Sequence, residues 1–511
     1  MVTTISKLAG AAPGSLRSLT VAAWLGASLA GALASSASAE TLTIALSSTV
    51  NTLDPTQAQV VGTDVSVATH LYSPLVARGP DGKLYGVLAE NWQPEGDSAW
   101  LFNLKPSVTF PGGEPLDAEA VKWNIDRIRN PETKSRNRSW FDPVSEVEVV
   151  SPTQVRIKTK GPYPTLPDQL SMIFFLSPEW MKTHNPATEA YGTGPYKLKQ
   201  FVAGDRLVLE PNDKAVLEKP TFDEVTMRVI PEASARVAGI LAGEVDLAFD
   251  LPLEDVERIK KSGRADAGWV PSSRSMVVRM NTLKAPLAGN TKLRQALNYA
   301  VDKEGMVEAM LGGLGTVSQC QILTPAYFGF NQDLKPYPYD PAKAKQLLKE
   351  AGVTTPLKIE LEVPLNRYFM ASEIGQIVAG QLQEVGVEAT IKEMDFGAWV
   401  KTYAGRDMGQ MALLGQAWPT LDADGMLGLY AAANPTAYFD DKPFDEALKA
   451  GRGTTDPAKR LEAYKTATAR MCEEAPVIFL FAQPFTYGTS KKVTWKARGD
   501  DWVRATDVVK K

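Results

Sequence analysis

Histidine and cysteine are nearly absent from this 511-residue chain, which holds two of each. His70 and His184 stand far apart, and no G-x-S-x-G elbow, H-E-x-x-H pair or zinc-type Cys/His spacing accompanies either. Hydrolytic chemistry built on imidazole, and a structural or catalytic metal, are therefore not expected. A basic excess is also missing: 55 Lys+Arg stand against 59 Asp+Glu. Nucleic acid and anionic membrane surfaces call for a basic face, so neither is expected as the main partner. Beyond residue 39 no apolar run approaches the roughly 20 residues that a membrane-spanning helix needs. Gly312-Gly313-Leu314-Gly315 lacks the Lys-Ser/Thr that completes a phosphate-cradling loop and reads as a turn after a helix. Asp422-Ala423-Asp424-Gly425 lacks the glutamate tail of a calcium loop. No cofactor is expected.

What the N-terminus does contain is an export signal. Lys7 and Arg17 are the only charges before Glu40, and an apolar small-residue run from Leu19 to Leu33 leads to Ala37-Ser38-Ala39. That is the small-x-small pattern of signal peptidase, so 1–39 is read as a signal cut after Ala39. With no cysteine at the cut, no lipid anchor is expected, and the product is read as freely diffusing in a periplasm. Cleavage leaves 472 residues and takes the formal charge from −4 to −6 through loss of Lys7 and Arg17. That length suits two or three packed lobes. In an oxidising compartment Cys320 and Cys472 could pair or stay as two buried thiols, because sequence separation says nothing of Cα distance.

The rest of the chain alternates strand and helix signals. Thr41–Leu46 alternates apolar and polar residues, and Trp100–Leu104 reads as a second strand. Asp117 is an N-cap for a helix from Ala118 to about Ile128. Asp340, Pro341 and Gly352 punctuate a further helix, and a strand at Leu357–Val363, a helix near Glu373–Val385 and a strand at Glu388–Lys392 continue a β-α-β rhythm. The fold class expected is α/β with partly parallel sheets.

Six ordered segments carry a resemblance. They are Leu88–Trp92 with Trp100–Leu104 and Val108–Gly113, then Pro115–Lys122, Gly192–Tyr196, Met280-Asn281, Leu293–Asp302, and Tyr339–Pro341 with Leu347, Leu348 and Gly352. Together they resemble the large extracytoplasmic solute-binding proteins of oligopeptide, dipeptide and nickel ABC importers. The resemblance implies a two-lobed periplasmic binding protein fold with a small domain inserted in the first lobe. Mapped here, the first lobe takes 40–77, 190–315 and 481–511, the insertion 78–189 and the second lobe 316–480. It implies a monomer that closes over a di- or oligopeptide-like solute and delivers it to an inner-membrane ABC permease. Opines, sugar conjugates and other amino-acid derivatives are the alternative ligands, and a nickel carrier is disfavoured by the two scattered histidines. On that map Cys320 and Cys472 bracket the second lobe, where a disulfide would clip the hinge.

Site residues follow from the same resemblance. Asp422, with Asp424 second, matches the aspartate that holds a peptide's ammonium in peptide-binding members, though Ala423 stands where they usually have proline. Trp418 is a wall residue, since a cleft that desolvates its ligand needs aromatic walls and a few fixed polar groups. Arg274 borders the cleft on a crossing segment and could hold a carboxylate or phosphate. Asn366, Arg367 and Tyr368 form a loop at a strand end, where open α/β sheets place ligands. Phe485 and Tyr487 lie near the return to the first lobe. Arg294 and Asp302 fit the family pattern but are read as packing residues. An enzyme or chaperone on this fold is the alternative class. An enzyme would need a tuned acid–base pair in the cleft, and the sequence nominates none.

Overall fold

The computed structural model describes residues 40–58, 61–79, 82–216, 219–365, 367–368 and 370–511. The expected signal and its cut after Ala39 lie outside the described residues, as does Asn366. No helix among the described residues is long and apolar enough to cross a membrane.

One mixed sheet of eleven strands runs through the molecule. From one edge its order is Val387–Asp395, Leu357–Leu365, Met411–Gln416, Ala265–Met280, Val477–Ser490, Leu247–Phe249, Thr41–Leu46, Glu224–Val229, Arg206–Pro211 and Tyr196–Val202, with Thr316–Val317 paired to the side. Thr41–Leu46 lies parallel to two neighbours, and Leu357–Leu365 to two others. The central pair, Ala265–Met280 and Val477–Ser490, is antiparallel and serves both lobes. At one end Ala265 and Ala267 join the first-lobe core with Val237 and Ile240. At the other, Met276 and Val278 pack with Leu361, Ile374 and Leu413 of the second lobe.

Local signals explain the elements. Asp117 accepts from Ala120 N at 3.0 Å and starts the helix Ala118–Arg129; Asp340 accepts from Lys343 N at 2.8 Å and starts Pro341–Glu350. Each satisfies an orphan first-turn donor. Gly352 ends the second helix at φ +69°, a left-handed turn that only glycine enters without strain. A separate four-stranded antiparallel sheet, Ala89–Pro94, Ala99–Leu104, Gln154–Thr159 and Val144–Ser151, covers the helix Ala118–Arg129. Phe102, Val121, Ile125 and Ile157 close its core.

One boundary differs from the expected map. The helices Thr291–Tyr299 and Lys303–Leu311 were assigned to the first lobe within 190–315. Leu293, Leu297 and Met306 instead share a core with Leu347, Leu361 and Val378. Asp340 N donates to Tyr299 O at 2.9 Å, and Arg294 pairs with Glu474 at 2.8 Å. The chain has already crossed on Ala265–Met280 before it reaches these helices, so their apolar faces meet the second lobe. Arg294 and Asp302, which caps Gly305 N at 2.8 Å, hold packing positions.

Cys320 and Cys472 form a disulfide with their Cα atoms 5.2 Å apart across a sequence separation of 152. It ties the segment after Thr316–Val317 to the end of the helix Pro457–Glu474. Closing a loop of that size removes about 5 kcal/mol of unfolded-chain entropy in the simplest treatment. Reduction, or Cys472→Ser, is expected to lower the calorimetric melting temperature by several degrees; an unchanged transition contradicts a bonded pair.

Lys303 is buried, with its ammonium on the Asn298 and Tyr337 carbonyls. Burial pushes its pKa down to about 7, against the pull of Asp302. The unfolded chain then binds more protons between pH 7 and the ordinary lysine range near 10.4, so stability rises with pH across that window. Denaturant titrations should show this rise in the wild type and a flatter profile in Lys303→Met. Parallel profiles would contradict a neutral lysine.

Candidate functional site

The crossing strand Ala265–Met280 breaks register between Pro271 and Ser275. A bulge re-aims side chains, and Arg274 sits in this one. Arg274 N donates to Ser272 Oγ at 3.0 Å, and Ser273 N donates to Gly499 O at 2.8 Å. The segment is thereby fixed against the C-terminal return of the chain.

The neighbouring strand Met411–Gln416 contributes Gly415. A Cβ there would lie 2.9 Å from the Tyr368 ring and 3.1 Å from Arg274 Cδ. The missing side chain is what lets Arg274 and Tyr368 converge. Arg274 Nη1 donates to Gly415 O at 3.3 Å. The Arg367 guanidinium lies 5.7 Å from the Tyr368 ring centre and 5.5 Å from that of Phe396. Burial and then the charge of Arg274 push the Arg367 pKa down. Arg367 is nonetheless exposed at its surface, so water screens much of that push. Among the described residues neither arginine forms an ion pair with a carboxylate. Two like charges thus stand close to the Tyr368 ring.

Tyr327 joins this recess to the tryptophan segment. Its hydroxyl accepts from Trp418 N at 2.7 Å. Burial raises the Tyr327 pKa, with Ser273, Arg274 and Asp501 among the groups that act on it. Trp418 packs its indole on Gly425 and faces Trp140 of the four-stranded-sheet region, ring centres 6.4 Å apart. Tyr163 from the same region donates to Trp140 O at 2.6 Å. Burial, and next the charge of Asp424, raise its pKa. Aromatic rings from two separately built cores thus meet at Trp418.

Asp422 does not serve as expected. It is 2% exposed and N-caps the helix Ala423–Gly428 through Asp424 N at 2.9 Å. Both of its carboxylate oxygens take Arg460 Nη2 at 2.9 Å. Arg460 itself is 6% exposed and lies 5.0 Å over the Phe328 ring. The position expected for a ligand ammonium is filled by a guanidinium of the chain. Burial pushes the Asp422 carboxyl up to about 7, Arg460 pulls it down, and the nearby Asp168 carboxylate adds to the rise. Asp168 is paired in turn with Arg78. Asp424 is held by Arg452 at 2.5 Å.

Tyr487 also falls elsewhere. Its ring meets Trp495 edge-on at 5.3 Å, and its hydroxyl occupies the space above Gly268, so it packs within the first lobe. Phe485 is buried against Phe249 and Trp495. Of the expected residues the structure brings together Arg274, Arg367, Tyr368 and Trp418. It adds Tyr327, Trp140 and Asp501, for which the sequence offers no local motif.

The histidines stand outside this recess. His70 is buried, with Nδ1 on Ser66 O at 2.6 Å and Nε2 accepting from Ala505 N at 2.9 Å. His184 stacks on Trp180 at 4.8 Å. No group of three or more metal-binding side chains occurs among the described residues. A small cavity is lined by Tyr72, Phe174 and Trp502.

Residues 83–438 match the model of the bacterial extracellular solute-binding proteins, family 5. The glutathione-binding protein GsiB of Salmonella paratyphi A is 29% identical over 491 residues, covering 92% of this chain and 95% of its own. The structure of NikA from Brucella suis in complex with Fe(III)-EDTA is similar at 25% identity and a TM-score of 0.82, over 92% of this chain and all of its own. AgaA from A. tumefaciens R10 in complex with agropinic acid matches at 22% identity and a TM-score of 0.75, over 92% and 99%. This chain belongs to family 5 of the bacterial extracellular solute-binding proteins, the substrate-binding components of ABC importers.

Proposed function

We propose that this protein is exported to the periplasm and captures a short peptide or related amino-acid derivative bearing a free carboxylate. It then delivers that solute to an inner-membrane ABC permease. The observation that carries the reading is the approach of two arginines to one tyrosine ring: Gly415 leaves room for Arg274 against Tyr368, and the Arg367 guanidinium lies 5.7 Å from the same ring. A carboxylate placed there relieves their mutual repulsion and takes charge-assisted hydrogen bonds from planar donors. The rings of Tyr368, Phe396, Trp418 and Trp140 supply apolar walls for the rest of the solute. Glutathione, for which the relatives are named, and agropinic acid, held by AgaA, both carry carboxylates.

Capture works through the shared sheet. Ligand contacts made from both lobes exist together only when the lobes close, so binding shifts the population toward the closed form. The pairing of Asp422 with Arg460 argues against the peptide-binding arrangement in which that aspartate holds the ligand's ammonium.

Three outcomes are expected. The exported protein should have the intact mass of a chain beginning at Glu40; a mass that retains the first 39 residues contradicts the export reading. In thermal-shift assays glutathione or another carboxylate-bearing peptide or opine should raise the melting temperature, and its ester should not. Arg274→Gln and Arg367→Gln should each weaken that ligand by about 10- to 100-fold, the size of one hydrogen bond to a charged group. If no carboxylate solute shifts the melting temperature, or both variants bind as the wild type does, the reading fails.

A further inference from the structure

The segment 497–508 packs on the first-lobe core with Leu71 and Tyr72, and Trp502, Val503 and Ala505 are buried there. Two backbone donors fasten it to the helix Ser66–Leu71. Val503 N donates to Ser66 Oγ at 2.9 Å, and Ala505 N donates to His70 Nε2 at 2.9 Å. Nearer its start, Gly499 O accepts from Ser273 N at 2.8 Å, beside Arg274 in the register break of the crossing strand. The segment is thus a strap between a first-lobe helix and the bulge that carries Arg274.

The bond to His70 depends on one protonation state. His70 is 1% exposed, and its Nδ1 lies 2.6 Å from Ser66 O. A carbonyl only accepts, so Nδ1 carries a proton; a backbone amide only donates, so Nε2 presents its lone pair to Ala505 N. The docked strap therefore holds a neutral imidazole. A proton on Nε2 sets donor against donor and leaves a cation buried beside the Ala505 amide.

The other titratable and charged groups on the packed elements act differently. The Tyr196 ring faces His70 at 5.9 Å, and burial raises its pKa, so it stays a neutral phenol. Asp64 precedes the helix, and the strap carries Arg498, Asp500, Asp501, Arg504 and Asp507. Arg498 pairs with Asp500 at 2.6 Å and with Asp507 at 3.9 Å. Burial pushes the carboxyl of half-buried Asp501 up to about 7. A group whose docked pKa is raised binds its proton more tightly in the docked form, so Asp501 favours docking as pH falls, with the opposite sign to His70.

We infer that His70 is a pH-sensitive clasp: a proton on Nε2 releases Ala505, frees the strap and loosens the Gly499 hold on the bulge that carries Arg274. The released imidazole takes its proton as pH falls through the ordinary histidine range near 6.5.

The test is hydrogen exchange of the mature protein, read at single amides and corrected for the intrinsic effect of pH. Asp501→Asn removes the opposing group and tolerates the positive φ of that position, so the slope is read in this variant. Opening at the Val503, Ala505 and Ser273 amides should there increase about tenfold per pH unit below about 6.5, the slope for uptake of one proton. Adding His184→Gln, which removes the other histidine of the chain, should leave the slope intact, and adding His70→Gln should abolish it. A flat profile in Asp501→Asn, a slope that survives His70→Gln, or opening at Val503 and Ala505 with Ser273 unchanged overturns the inference. Nitrogen NMR of the two imidazoles in the wild type does not depend on any variant folding. His70 should carry its proton on Nδ1 at neutral pH, and its Nε2 should become protonated only as Ala505 loses protection. A protonated Nε2 with Ala505 still protected overturns the inference as well. Neither readout needs a ligand, so failure of carboxylate capture leaves the clasp standing.

Discussion

The antiparallel pairing of Ala265–Met280 with Val477–Ser490 is the constraint on which the remainder hangs. These two strands carry the chain between lobes, and their residues close cores on both sides: Phe485 with Phe249 in one, Phe481 with Met276 in the other. The ladder pairs Ala265 to Pro271 with Ser490 to Pro484, and resumes from Ser275 against Ala482, so both lobes share one central sheet. The register break between Pro271 and Ser275 falls in this ladder, where lost pairing leaves backbone and side chains free for other work. Arg274 occupies that break, so it stands on the feature that joins the lobes.

Charge is handled in two ways around this axis. On the side of Trp418, carboxylates and guanidiniums are matched within the chain: Asp422 with Arg460, Asp424 with Arg452, Asp168 with Arg78. For the fully buried pair of Asp422 and Arg460, removing one member costs about 3–5 kcal/mol, because the other is left stranded. On the side of the crossing strands Arg274 and Arg367 form no ion pair with a carboxylate among the described residues; Arg274 donates to Gly415 O and Arg367 lies over the Tyr368 ring.

Much of the fold was legible in the sequence. Asp117, Asp340 and Gly352 mark helix ends because capping is local, and Leu357–Leu365 shows the strand alternation although its middle, Leu361 to Pro364, is buried on both faces. The lobe boundary near residue 315 was not legible, since the amphipathic face of Thr291–Tyr299 shows that it is covered but not by what. The site was legible in part. Arg274 and Arg367 stand at a bulge and a strand end, positions with sequence signatures. Asp422 was misjudged because its partner, Arg460, lies 38 residues downstream on another helix. Tyr487 follows Pro484, at the register break, by three residues, and its ring turns to Trp495.

The most direct test is a crystal structure of the wild-type mature protein with the tightest-binding carboxylate solute from the panel. The account predicts the carboxylate on Arg274 and Arg367 beneath Tyr368, with Asp422 still on both faces of its bond to Arg460. A ligand ammonium on Asp422, with Arg460 swung away and the two arginines empty, would contradict it.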